Sequence, residues 1–442
     1  MPNAIQRSLV SGVRVREVWA WAMYDFANSG YTTVVITAVF SAYFVAEVAR
    51  HAAWATFAWT AALAVSYLMI MLTAPLIGAY AGIRASKKRL LVITTVGCLL
   101  FTAGLAAVGG GDVMAGMALI VLSNFFFGSG ENLIAAFLPE LARGEALGRV
   151  SGWGWSLGYC GGLVALGICL VYVTWAQAQG VAATTFVPVT MLITAAFFAL
   201  ASLPTLLLLR ERAQPQPGSV PVRAAFCRLA QTWRAARHYR DLRHFLVCLV
   251  FYQAGIQTVI ALAAIYAQQA MGFTTRDTLL LILVVNVTAA VGAFLFGHAQ
   301  DSLGHVRTIM LTLAGWMLTV LLAWQAADPA LFWVAANLVG LCLGSSQSAG
   351  RALVGFLSPP GRQAEFFGLW GVAVKFSSIL GPLTYGAVTW LTTGNHRMAI
   401  LLTGVYFVIG AVILAGVDAE RGRKTALAGG AADPVGATGP AR

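Results

Sequence analysis

Charge is what this chain has least of: only 10% of its 442 residues are Asp, Glu, Lys or Arg, and 59% are hydrophobic. An average soluble domain carries about 25% charged residues, so a polytopic membrane protein is the class that fits. Paired cysteines are also missing. None of the six cysteines forms a CxxC pair, and neither a disulfide framework nor a metal site is indicated. No GxGxxG between a strand and a helix, no Walker loop and no HExxH is present, so an ion or solute gradient is the expected energy source. No cofactor, no metal and no catalytic residue is expected, and the chain reads as something other than an enzyme. Acidic residues are scarcer than basic ones, 16 against 28. That excess is sorted into alternate loops, which marks topology and not a nucleic-acid footprint.

What is present is a series of apolar runs of about 20 residues, the length that crosses about 30 Å of hydrocarbon. Twelve can be placed. They fall at 19–44, 54–80, 90–109, 115–138, 150–175 and 185–209, then at 244–270, 277–298, 308–326, 330–350, 366–391 and 398–417. The first run follows a basic stretch with Arg7, Arg14 and Arg16 and is too long for a cleavable signal, so it is expected to remain.

With both termini placed in the cytoplasm, 23 of the 28 Lys and Arg lie on the inner side, and only Arg50, Arg276 and Arg397 lie outside. This predicts a multi-pass protein of the inner (plasma) membrane. Arg351 and Lys375 lie within or at the edge of spans. The expected organisation is a six-helix half over 1–209, a basic cytoplasmic linker over 210–243, a second half over 244–417 and a disordered tail over 418–442. The later part of the linker reads as a short basic surface helix.

The two halves repeat. PLIGAYAGIRASKKR (Pro75 to Arg89) follows the second span and LFGHAQDSLGHVRT (Leu295 to Thr308) follows the eighth. Gly78 aligns with Gly297, Gly82 with Asp301, Ala85 with Gly304 and Lys88 with Arg307. Trp153 aligns with Trp370 in a second pair of stretches. The fold class is therefore all-α membrane protein, with twelve transmembrane helices in two pseudo-symmetric six-helix halves. The second copy, Gly297, Asp301, Gly304 and Arg307, resembles the inter-helix loop motif of the major facilitator superfamily. The resemblance implies an inner-face charge network among the Asp, the helix end and the basic residue, one that breaks during alternating access. The first copy lacks the Asp and the second Gly.

Four stretches resemble one branch of that superfamily more narrowly: the branch that includes the vacuole effluxers named after an autophagy-related protein. They are WAMYDFANSGYTTVVITAVFSAYF, ending at Phe44, GRVSGWGWSLGYCGGL from Gly148, GIQTVIALAAIYA from Gly255, and PPGRQAEFFGLWGVAVKFSSILGPLTYG from Pro359. The resemblance implies a secondary transporter of bacterial type, its fungal relatives being associated with amino-acid release from the vacuole. Family members typically carry an Asn-Asp pair where this chain has Gln253 and Ala254.

An ionised Asp at the centre of a bilayer helix costs about 2.5–3.5 kcal/mol on insertion scales, so Asp25 needs a partner or a role. Asp25, Asn28, Ser29 and Thr32 share one helical stripe. Glu131, with Asn124 and Asn132, forms a second polar face. Two readings stand for each: a cavity wall binding solute or a proton, or a network that holds the fold. Lys375, with a cation that can meet Asp25, Glu131 or a substrate carboxylate, is expected near the central cavity, and the preferred pairing is with Asp25. Gln253 and Gln257 are amide neighbours on the seventh span. Arg351 is expected to snorkel at the inner end of the tenth span, as an interfacial or gate residue. The glycine-rich fifth span and the GPLTYG of the eleventh are expected at rocking interfaces.

The leading expectation is a monomeric transporter that moves a small polar solute, such as an amino acid, across the lipid bilayer by alternating access, with protons as a candidate coupling ion. Two alternatives remain open at this point. One is a proton-coupled exporter of amphipathic toxic compounds, and the other is a membrane scaffold or sensor without transport.

Overall fold

The computed structural model describes residues 6, 8–50, 52, 54–213, 239–273, 275–392 and 395–432. Among the described residues, twelve helices are long and apolar enough to cross a membrane. They are α1 (Val15–Tyr31), α2 (Ala55–Arg84), α3 (Lys87–Gly104), α4 (Val113–Ala135), α5 (Leu147–Ala178), α6 (Ala183–Leu208), α7 (Arg240–Met271), α8 (Thr275–Leu303), α9 (His305–Gln325), α10 (Pro329–Leu357), α11 (Gln363–Leu391) and α12 (His396–Leu414). Leu72, Leu100, Val171, Leu207, Leu383 and Val412 stand exposed on their outer surfaces. A soluble protein would bury such side chains, but hydrocarbon solvates them.

The packing repeats as the sequence does. In the first half α1 packs on α5 and α6, α4 on α2 and α3, and α3 on α6; in the second, α7 packs on α11 and α12, α10 on α8 and α9, and α9 on α12. The halves meet through α2 with α11 and α5 with α8, and through α5 with α10 and α4 with α11. Each of these crossings is the repeat-related mate of the other in its pair. The helix ends that carry the basic loops, called the basic face below, are drawn together. A Cβ on Gly152 of α5 would lie 2.6 Å from the Ala293 carbonyl oxygen of α8, and one on Gly78 of α2 would come still closer to the Ala364 carbonyl of α11. Backbones approach this closely only where side chains are small.

The loop motif is less of a loop than the repeat suggested. Its second copy stays helical through Leu303, and the chain turns at Gly304 with φ +88°. The first copy turns at Ala85 with φ +49°, so the left-handed backbone is kept where the glycine is not. A β-carbon there costs about 1 kcal/mol.

Helix α1 continues past Tyr31 as a π-helical stretch Thr32–Ala38, a turn Phe40–Tyr43 and a second π-helical stretch Phe44–Val48. The hydroxyls of Ser29, Thr32 and Thr33 turn back onto the carbonyls of Asp25 and Ser29. Such back-bonding competes with the helical ladder and bends it.

At the basic face Glu211 accepts hydrogen bonds from the first two amides of α3, Lys87 N and Lys88 N, at 2.8 and 3.1 Å. Arg212 pairs with Glu17 at 2.9 Å, and Lys87 pairs with Glu140. Residues 214–238, where the surface helix of the linker was expected, lie outside the described residues. The described part of the tail is helical where disorder was expected: α13 (Ala419–Ala432) follows α12, and residues 433–442 lie outside the described residues. Arg421 binds the buried Asp241 carboxylate at 2.6 Å, and Asp418 N donates to the same oxygen at 2.9 Å. Arg423 donates to the Phe356 carbonyl at 3.0 Å. A carboxylate that hydropathy alone does not single out thus holds the start of the tail.

Candidate functional site

Two ion pairs join the halves within the spans. Asp25 of α1 meets Arg351 of α10, Oδ2 to Nη1, at 2.6 Å. Glu131 of α4 meets Lys375 of α11, Oε2 to Nζ, at 3.2 Å. The first half supplies both acids and the second both bases. Each charge is offset by its partner, which answers the insertion cost of Asp25.

The expected partner of Asp25 was Lys375, and that pairing is overturned. Arg351 was expected to snorkel, yet its side chain is only 3% exposed. It is held from three sides. Its Nε donates to Ser151 Oγ at 3.0 Å and its Nη2 to the Ser151 carbonyl at 2.9 Å, while Ser151 Oγ donates onward to the Ser348 carbonyl at 2.8 Å. The guanidinium lies 4.8 Å from the Trp21 ring centroid and 5.3 Å from that of Trp155. A planar cation with several donors suits this cage as an ammonium would not. Gly154 passes directly beneath: a Cβ there would lie 2.6 Å from both Arg351 Nη2 and Asp25 Oδ2. One glycine of the GWGW stretch therefore makes room for the ion pair.

The Glu131–Lys375 pair is built more lightly. A single hydrogen bond joins its members, Lys375 Nζ lies 5.6 Å from the centroid of Tyr67, and the Glu131 side chain keeps 25% of its exposure. A pair with one bond and an acid only partly enclosed can open at less cost than a pair fixed by several bonds and two indole rings.

The other members of the α1 stripe are divided. Asp25 and Asn28 are buried, whereas Ser29 and Thr32 are half-buried. Gln253 donates to Gln347 Oε1 at 2.7 Å, linking α7 to α10. Gln257 is half-buried one turn along. Asn124 donates to Ser66 Oγ at 2.5 Å, linking α4 to α2. Asn286 and Asn337 bond back to carbonyls of their own helices. At Ala254, where relatives were expected to carry an acid, the backbone is packed against Gly381 of α11. That close crossing leaves the residue fully buried.

The second copy of the loop motif does form a charge contact, but not the internal one expected. Asp301 accepts from Arg149 N at 3.3 Å and pairs with the Arg149 side chain, Oδ2 to Nε, at 3.3 Å. Arg149 belongs to α5, in the other half. Arg307 is exposed, and Gly297 packs against Gly152. Among the described residues no group of three His, Cys, Asp or Glu is placed to hold a metal.

Sequence reasoning missed the roles of Ser151, Trp21, Tyr67 and Arg149. The available signal was numerical: two acids in the spans of the first half and two bases in those of the second call for two cross-half pairs.

Solved structures share this fold. The human organic anion transporter MFSD10 (TETRAN) matches with a TM-score of 0.71 at 13% identity, over 90% of this chain and 99% of that one. The proton:xylose symporter XylE matches with a TM-score of 0.72 at 14% identity, over 91% and 95%. The uncharacterized MFS-type transporter YxiO of Bacillus subtilis (strain 168) is 29% identical over 406 residues, 91% of this chain and 94% of that one. Autophagy-related protein 22-1 of Aspergillus fumigatus is 25% identical over 332 residues, 68% of this chain and 54% of that one. The chain thus spans about half the length of the fungal relatives it matches. The family model described as "Vacuole effluxer Atg22 like" matches residues 53–427, and this multi-pass membrane protein of the major facilitator fold belongs to that family.

Proposed function

We propose that the protein is a secondary transporter that moves a small polar solute by alternating access, with Glu131 and Lys375 as its exchangeable site. The observation that carries the reading is the cross-half ion pair at 3.2 Å, with a quarter of the Glu131 side chain exposed. A zwitterion such as an amino acid offers a carboxylate to Lys375 and an ammonium to Glu131. It can take over both charges without leaving either unpaired. A proton on Glu131 would release Lys375 in the same way, which makes the proton the candidate coupling ion. Asn28, Ser29, Thr32, Gln253 and Gln257 are assigned, in this reading, as uncharged donors and acceptors that the solute meets when the halves part.

In this reading Asp25 and Arg351 do not exchange partners with the solute. They hold the halves together while the basic face is closed. The basic face is the cytoplasmic one, with both termini on it and the protein in the plasma membrane. That placement follows the distribution of Lys and Arg among the loops. The working unit is a monomer, because each site is completed by the two halves of one chain.

The test is counterflow of labelled amino acids into liposomes containing the purified protein. Uptake is expected in the wild type and is expected to vanish in Lys375→Ala protein that still elutes as a folded monomer. Undiminished uptake in that variant would remove the site assignment. No flux of any amino acid, with export of amphipathic cations instead, would replace the solute class; no flux of any tested compound would favour a scaffold.

A further inference from the structure

The two repeat-related crossings at the basic face differ in where their carboxylate sits and in which half supplies the arginine that it bonds. At the α5–α8 crossing the acid is Asp301, on the end of α8, and it bonds Arg149 in the first turn of α5, across the two halves. At the α2–α11 crossing the aligned position on α2 is Gly82, which has no side chain. The carboxylate found there is Glu365, in the first turn of α11: a Cβ on Gly82 would lie 3.8 Å from Glu365 Oε1. Glu365 is 2% exposed, and its Oε2 accepts from Arg362 Nε at 3.0 Å and Nη2 at 2.9 Å.

We infer that Glu365 supplies, from the opposite helix, the carboxylate that the first copy of the loop motif lacks, and that it acts as a positioning residue for the closed basic face. The small residue at position 82 is then required by the acid that faces it. The backbones already touch, with Gly78 under Ala364 and Gly368 beside the Ala74 carbonyl, so a carboxylate on each side of the crossing would force two like charges into close contact. One acid in the first turn of α11 suits the positive end of that helix; a second one opposes closure. The inference rests on alternation between two states, as proposed above, and not on which solute is moved.

The test is a charge relocation read by distance. Spin labels are placed on Arg89→Cys of α3 and Ser302→Cys of α8, both exposed at the basic face, in full-length protein in which Cys160 and Cys227 are replaced by Ser. Gly82→Asp is expected to shift the distance distribution toward longer, basic-face-open separations. Glu365→Gln added to Gly82→Asp is expected to reverse most of that shift, because the carboxylate has then only changed sides. Gly82→Ala, which adds a methyl group at ordinary van der Waals distance, is expected to leave the distribution unchanged. A Gly82→Asp protein that keeps the wild-type distribution would overturn the inference. So would a shift that Glu365→Gln fails to reverse, or a shift already present in Gly82→Ala. A single distance in the wild type under all conditions would count against alternating access. The comparison among variants would still decide the role of Glu365.

Discussion

Asp25 meets Arg351 at 2.6 Å with side chains 11% and 3% exposed, whereas Glu131 meets Lys375 at 3.2 Å with side chains 25% and 10% exposed. Both pairs place the acid on the first half and the base on the second, so both favour contact between the halves. They differ in how much else each member touches. Arg351 has Ser151, Trp21 and Trp155 around it; Lys375 has Glu131 and the edge of one tyrosine's reach. A charge with several fixed partners is a structural element, and one with a single partner and a less enclosed side chain is available for exchange. The difference between guanidinium and ammonium fits this division, since the first offers a planar set of donors and the second a rotating point charge.

The comparison breaks most visibly on the Arg351 side. Arg351→Ala leaves the Asp25 carboxylate buried and unpaired and opens a gap between two tryptophans. A loss of about 3–5 kcal/mol is expected, the usual cost of stripping one member from a buried pair. Thermal unfolding of the purified protein measures it. The combined change Asp25→Leu with Arg351→Met is expected to recover much of that loss, because it removes both charges. A combined variant no more stable than Arg351→Ala would assign the destabilisation to lost packing and not to the stranded charge.

Next in size is Gly154→Ala. The added methyl carbon would sit 2.6 Å from both ionic groups of this pair, so the pair must separate or α5 must withdraw from α1. Overpacking of this kind costs about 1–3 kcal/mol. The same measurement on Gly167→Ala, where a Cβ meets nothing within 4 Å, is the control on the same helix and is expected to show no loss. Equal losses at the two positions would mean that Gly154 matters to the helix and not to the pair.

The lighter pair gives a smaller effect on stability. Lys375→Ala leaves Glu131 alone, but a quarter of its side chain is already unenclosed by protein, so a cost of about 1 kcal/mol is expected. A loss as large as that of Arg351→Ala would erase the distinction between a fixed pair and an exchangeable one.

Much of this arrangement is legible in the sequence, and what is not has a definable reason. The twelve spans, the basic face and the six-plus-six repeat follow from hydropathy and charge, which are properties of single segments. Asp25, Glu131, Arg351 and Lys375 stand out because ions are costly in hydrocarbon. Which acid meets which base depends on how helices rotate and cross, and span order does not encode that. Arg351 illustrates the limit. Close to the end of α10, it has the reach to snorkel, and only the crossing of α5 over α10 at Ser151 decides that it turns inward. The start of the tail differs for another reason: Ala- and Gly-rich sequence with scattered arginines reads as disorder, and the anchor of α13 is Asp241, 180 residues earlier than Arg421.

The third cross-half pair offers the finest comparison because it reverses the polarity of the other two: Asp301 is on the second half and Arg149 on the first. The motif in which Asp301 stands names Arg307 as its basic residue, yet Arg307 is exposed and Arg149 holds the contact. Being partly solvated, with Arg149 31% exposed, the pair is expected to contribute about 0.5–1 kcal/mol. Arg307→Ala is expected to change stability by less than about 0.5 kcal/mol, as substitutions of solvated side chains do. A double-mutant cycle separates the two arginines. With Asp301→Asn as the common partner, a coupling is expected with Arg149→Ala and none with Arg307→Ala. A coupling with Arg307 instead would return the charge network to a single half, and the basic face would then be held by glycine packing and Asp25–Arg351 without this pair.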